Sequence, residues 1–239
     1  NPVEFKKKYN IDARIQSEVV KINRAEKTIT VKNILTDELY EESYDHLVLS
    51  PGASPIVPNI EGVNEKHVFT VRNVTDIERL NHYIQTVDAK NIAVIGGGFI
   101  GVEVAENLRL AERNVSLVEF APQILMPFDY DMAQILHKEM VDKGIELIVG
   151  DGLAKIEDTS IQLNSGKVVE ADVVVLAIGV RPETGLAKEA GLEIGELGGI
   201  KVNANYQTSD PAIYAVGDAI EVFHRLTHKP TRLALAGPA

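Results

Sequence analysis

Three glycines, Gly96, Gly98 and Gly101, stand in the stretch KNIAVIGGGFIGVEVAENL, and a carboxylate, Glu119, follows 18 residues after the last of them. At the first position glycine permits a tight turn after a strand. At the second it lets backbone approach a pyrophosphate, and at the third it lets the following helix pack close to the strand. The start of that helix, with Phe99 and Ile100 in its first turn, would offer free N–H groups and the positive end of the helix dipole to phosphates. A carboxylate at the position of Glu119 accepts hydrogen bonds from ribose hydroxyls and repels a 2′-phosphate. Phe120, Ala121 and Pro122 supply no arginine to hold such a phosphate. The chemistry expected of this spacing is dinucleotide binding, with NADH favoured over NADPH. The bland alternatives are an ordinary strand–helix turn for the glycines and an exposed strand-end carboxylate for Glu119.

The elements that would position these residues form a βαβ pattern. Asn91–Ile95 is apolar on both faces, as a central parallel strand should be. A helix from about Gly98 to Ala111 would place Ile100, Val104, Ala105 and Leu108 on one side. VSLVE, ending at Glu119, and IELIVG read as the next strands. Between them lies a helix with Asp129 or Asp131 near its start and Gly144 as its stop. Short alternating runs over 153–170 predict a small antiparallel meander, and DVVVLAIGVRPET returns to a buried strand. Upstream, SEVVKINRAEKTITVKN reads as two strands around a turn at Arg24–Lys27. TDIERLNHYIQTV reads as a helix capped by Thr75 or Asp76.

Composition limits the function. The chain has 239 residues and a net charge of −11, with acidic residues spread along it, which argues against a nucleic-acid or anionic-membrane surface. Lys6-Lys7-Lys8 reads as a solvated helix face. No apolar run reaches the roughly 18–20 residues of a membrane helix, and the start has no secretory signal, so a cytoplasmic setting is expected. There is no cysteine, which excludes disulfides, thiolate metal sites and thiol catalysis by these residues. His224 and His228 are four apart, but EVFHRLTHKP reads as a loop and no metal site is expected. Met126, Met132 and Met140 read as packing residues.

Four motifs occur in order: LVLSPGASP, GGGFIGVEVAENL, AIGVRPE and TSDPAIYAVGD. Together they resemble the FAD-dependent pyridine nucleotide-disulfide oxidoreductases, and LMPFDYDMA with SYDHLVLSPGASP leans toward the CoA-disulfide reductase and NADH oxidase branch. The resemblance covers nearly the whole chain. It implies an α/β fold: a Rossmann-like NAD(P)-binding domain, with a parallel sheet and a small antiparallel meander. That domain is inserted in a partial FAD-binding domain, giving a flavoprotein with two dinucleotide-binding domains. Residues 1–85 would belong to the FAD-binding part, 86–207 to the NAD(P)H-binding domain and 208–239 to the returning FAD segment.

The same resemblance implies site residues. Asp218, after Gly217, matches an aspartate that holds an FAD ribityl hydroxyl. Ser50, Pro51 and Gly52 match a turn against FAD. Glu103 and Gly179 match positions near the nicotinamide. The bland alternatives are a capping aspartate, strand-end turns and a surface helix glutamate. The implied reaction passes hydride from NAD(P)H to FAD and on to a small disulfide such as CoA disulfide, or to O2 or peroxide, in a homodimer. The family's first FAD glycine motif and redox cysteine are not matched, and the chain stops at LALAGPA. A piece of a longer enzyme is therefore expected, binding NAD(H), with no catalytic residue of its own and no disulfide reductase activity. A non-catalytic nucleotide-binding sensor or interaction module is the alternative.

Overall fold

The computed structural model describes residues 1–232, so LALAGPA lies outside the described residues. The chain forms two compact units: Ser54–Val180, and Asn1–Ala53 with the chain from Arg181 onward. The sequence reading places these divisions near 86 and 207. The compact units instead divide after Ala53 and after Val180; at the first division, the strand Val68–Thr70 pairs in the parallel sheet and the helix after it packs on the same core.

In Ser54–Val180, β1 (Val68–Thr70) leads into α1 (Val74–Thr86). Then come β2 (Asn91–Ile95), α2 (Phe99–Leu110), β3 (Asn114–Glu119), α3 (Tyr130–Asp142) and β4 (Glu146–Val149). The antiparallel meander β5 (Leu153–Glu157), β6 (Ser160–Leu163) and β7 (Val168–Glu170) follows, and β8 (Val173–Leu176) closes the sheet. The five-stranded order is β1-β8-β2-β3-β4, all parallel. β8 is buried at every position and β2 at all but its first, because helices cover one face and the meander the other. Each valine, leucine or isoleucine buried this way contributes about 1.5–3 kcal/mol.

Helix ends follow their local chemistry. α1 is capped by Asn73, two and three residues before the expected Thr75 and Asp76. Asn73 and Asp76 form a reciprocal capping box, with the Asp76 N–H donating to Asn73 Oδ1 at 3.0 Å and Asp76 Oδ2 accepting from the Asn73 N–H at 3.2 Å. α2 buries Gly101, Ala105 and Leu108, while Ile100, expected on that face, is 38% exposed. α3 starts after Asp129 with Asp131 in its first turn, and the chain leaves it through Gly144 at φ +82°.

The other unit begins with an exposed helix, Pro2–Tyr9, whose last turn carries Lys6–Lys8. An antiparallel sheet of Ser17–Asn23, Thr28–Asn33 and Leu39–Ser43 follows. Leu47–Leu49 pairs in parallel with Ile213–Ala215. Arg24 Nε binds Asp210 Oδ2 at 2.7 Å and its Nη1 binds the carbonyls of Ala190 and Gly191, tying the sheet to the later segment. No described helix is long and apolar enough to cross a membrane.

Candidate functional site

The parallel register brings the C-terminal ends of β2, β3 and β8 together, since Ile95 pairs with both Val118 and Leu176. Ligands of open α/β sheets bind at such an edge. Gly96 and the Ala177–Gly179 loop follow their strand ends directly, and Glu119 is the last residue of β3. A cavity of about 530 Å3 opens there, lined by Gly96–Phe99, Glu119, Phe120, Leu125–Pro127, Asp151–Leu153, Asn164 and Ala177–Gly179 among others.

The glycines differ in what requires them. Gly96 has φ +109°, and a Cβ there would stand 2.4 Å from the Ala177 carbonyl oxygen. At Gly101 a Cβ would stand 1.8 Å from the Gly96 oxygen. Both are required by the protein's own packing. Gly98 has φ −76°, which any residue adopts, and a Cβ there would meet no described atom within 4 Å. It is exposed at the N-terminus of α2, where no side chain caps the helix. That open space beside uncapped N–H groups fits a phosphate-bearing ligand.

Glu119 is half-buried and held in place. One carboxylate oxygen accepts the Gly97 N–H at 2.6 Å and the other accepts the Ala121 N–H at 2.6 Å. A carboxylate has about four acceptor positions, so acceptor capacity toward a ribose remains. Asp151, at the cavity's far wall, accepts the hydroxyl of Ser165 and two backbone N–H groups. The Ser165 hydroxyl is the main reason its carboxyl sits below the usual range.

Of the residues expected from sequence in this unit, Gly96, Gly98, Phe99, Glu119 and Gly179 line the cavity. Ile100, Gly101 and Glu103 do not. Gly101 is buried under the glycine turn, and Glu103 is exposed on α2. Met126, read as a packing residue, lines the cavity and is 57% exposed, and Met132 is also exposed; Met140 is buried. Within the same segment Gln123 and Ile124 are buried while Met126 is exposed. Sequence reasoning also missed Asp151, Gly152 and Asn164, which the meander carries to the cavity. Their cue was a glycine and short polar side chains at strand ends.

In the other unit, Ser50–Gly52 and Gly217–Asp218 follow the C-terminal ends of the paired strands Leu47–Leu49 and Ile213–Ala215. Ser50 and Pro51 line one cavity and Gly217 another. Gly217 has φ +76° and a Cβ there would meet no described atom within 4 Å, which leaves room for a ligand at that strand end. His224 and His228 sit in a hairpin turn, where His224 Nδ1 accepts the N–H groups of Leu226 and Thr227. No group of three or more metal-ligating side chains forms among the described residues.

Residues 3–236 match the family model for pyridine nucleotide-disulphide oxidoreductase. The chain is 39% identical over 234 residues to an NADH oxidase of Methanocaldococcus jannaschii, covering 96% of this chain and 52% of that protein. It is 32% identical to a coenzyme A disulfide reductase of Staphylococcus haemolyticus, covering 98% of this chain and 53% of the relative. Among solved structures, reduced Bacillus anthracis CoADR-RHD superposes with a TM-score of 0.95 at 51% identity, covering 98% of this chain and 42% of that one. The chain thus spans about half the length of the curated relatives it matches. On the family match and these identities, the chain belongs to the pyridine nucleotide-disulphide oxidoreductase family.

Proposed function

We propose that this chain binds NAD(H) at the cavity beside Gly98 and serves a flavoprotein oxidoreductase. That enzyme would pass hydride from NAD(P)H to FAD and on to a small disulfide of the CoA-disulfide type, or to O2 or peroxide. The observation that carries the reading is the open space at Gly98, set on an uncapped helix end one strand away from the anchored Glu119. Gly96, Gly98, Phe99, Ile100, Gly101 and Glu103 would form or support the phosphate and nicotinamide side. Glu119 would accept ribose hydroxyls, and Gly179 would lie beside the nicotinamide. NADH is favoured because a 2′-phosphate would meet the Glu119 carboxylate.

Ser50, Pro51, Gly52, Gly217 and Asp218 would hold FAD, with the Asp218 carboxylate as a hydrogen-bond acceptor for a sugar-chain hydroxyl. When bound, FAD supplies two-electron transfer between nicotinamide and acceptor, while the protein binds and positions. The relatives' names support small-molecule acceptors, and the net charge of −11 disfavours nucleic acid and anionic membranes. A cytoplasmic homodimer completes the reading. The 239 residues contain no cysteine, so by themselves they would not turn over CoA disulfide.

Calorimetric titration with NADH and then NADPH tests the site. The expected result is saturable binding with NADH tighter by at least about tenfold, or about 1.4 kcal/mol. Tighter NADPH binding would overturn the assigned role of Glu119, and no binding of either would overturn the site.

A further inference from the structure

Segment 120–128 forms one wall of the nucleotide cavity, through Phe120, Leu125, Met126 and Pro127. At its start it is held at Ala121, whose N–H donates to Glu119 and whose carbonyl accepts the Gly150 N–H, and further along it is anchored at two neighbouring residues, Ile124 and Leu125. The Leu125 N–H donates to the Gly97 carbonyl at 2.8 Å, which fixes the segment to the glycine turn. The Ile124 side chain is fully buried, and its Cγ2 lies 2.5 Å from where a Cβ on Gly97 would stand. The buried Ile124 N–H donates to Nε2 of His137 on α3, at 3.2 Å. An imidazole nitrogen that accepts carries no proton, so this contact exists only with neutral His137. Protonation would set two N–H groups against each other and place a charge on a half-buried ring.

We propose that His137 is a positioning residue of the nucleotide site: its neutral ring holds Ile124 and the 120–128 wall against the glycine turn, so acidification releases the wall and weakens pyridine-nucleotide binding. The inference rests on the proposed NAD(H) site. Among the described residues, a proton on His137 meets no compensating partner. Segment 120–128 has no titratable residue. β4 presents Leu147 and Val149 beside the ring, and its Glu146 is engaged by Ser116 and Lys167. On α3 itself, Lys138 and Asp142 pair with each other. Burial accordingly pushes the His137 imidazole below its ordinary value of 6.5.

The test measures ADP-ribose affinity of the full chain by calorimetry from pH 8.0 to 5.5, in wild type, His137→Gln and His137→Leu. The diphosphate of ADP-ribose keeps its charge across this range, and a Gln side-chain oxygen can accept the Ile124 N–H without titrating. Wild type should lose affinity on acidification, following one proton, by at least about twice the factor seen in His137→Gln. His137→Gln should change by less than about twofold over the same range, and His137→Leu should bind more weakly at every pH. In parallel, the Ile124 amide resonance should titrate with the His137 ring in wild type and stay fixed in His137→Gln. This readout decides the matter even if His137→Leu does not fold. Equal pH slopes in wild type and His137→Gln would overturn the inference and leave the nucleotide site standing. Absence of ADP-ribose binding at any pH in either protein would overturn the site reading and the inference with it.

Discussion

Glu119 is the residue at which the proposed ribose contact meets the fold. Its two oxygens already hold the Gly97 and Ala121 N–H groups, so its geometry is set before any ribose arrives. Glu119→Gln keeps one acceptor oxygen and turns the other position into a donor facing an N–H. It should lower NADH affinity and narrow the preference over NADPH, each by about 1–3 kcal/mol. Parallel titrations of both nucleotides check this, and an unchanged preference would remove Glu119 from the specificity role. The fingerprint residues were legible from sequence because Gly96, Gly98, Gly101 and Glu119 are fixed by spacing along one strand–turn–helix–strand. Asp151, Gly152 and Asn164 were not, because only the fold of the meander brings residues 30 to 70 positions away to the same strand ends. The spacing also separated Gly96 and Gly101, read for turn and packing, from Gly98, read for the pyrophosphate; the packing requires the first two and leaves Gly98 open.

At the scale of elements, helix ends and the segment after β3 carry the testable content. Asn73→Ala removes half of the capping box that starts α1 and should cost about 1 kcal/mol in denaturant unfolding. The sequence offered Thr75 and Asp76 as caps because both are capping types. The choice fell to Asn73, which places Leu80 and Ile84 against the sheet. Gly101→Ala would drive a Cβ into the Gly96 carbonyl and should destabilise by about 1–3 kcal/mol. His137 adds a pH term to stability. Its native value lies below 6.5, so the unfolded chain takes up the proton first. The stability it supports is complete above about pH 6.5 and is lost as the pH falls from there through the lowered native value. Unfolding free energy of wild type should therefore drop between neutral and mildly acidic pH by more than that of His137→Gln. Equal losses would assign the drop to other groups.

For the whole molecule, the order of elements was readable because buried parallel strands, glycine turns and an alternating meander leave different patterns. The unit boundaries were not. VFT at 68–70 is too short to declare itself a sheet strand, and only its pairing with β8 reveals that it belongs to the later unit. The proposed FAD and NAD(H) sites lie in different units, so occupancy of each can be followed separately. FAD added to the purified chain and then desalted reports on the unit containing Asp218 through retained visible absorbance, and nucleotide titration reports on the unit containing Gly98. The claim on which the rest depends is that Gly98 is a glycine for a ligand and not for the fold. Gly98→Ala should melt close to the wild-type temperature, since φ −76° suits alanine and the gain of about 0.4–1 kcal/mol from restricting the unfolded chain is offset by the preference for glycine over alanine at the N-cap. The same variant should bind NADH at least about tenfold more weakly. Wild-type affinity in a folded Gly98→Ala protein would contradict the account, because the space at the end of α2 would then not be where the dinucleotide sits.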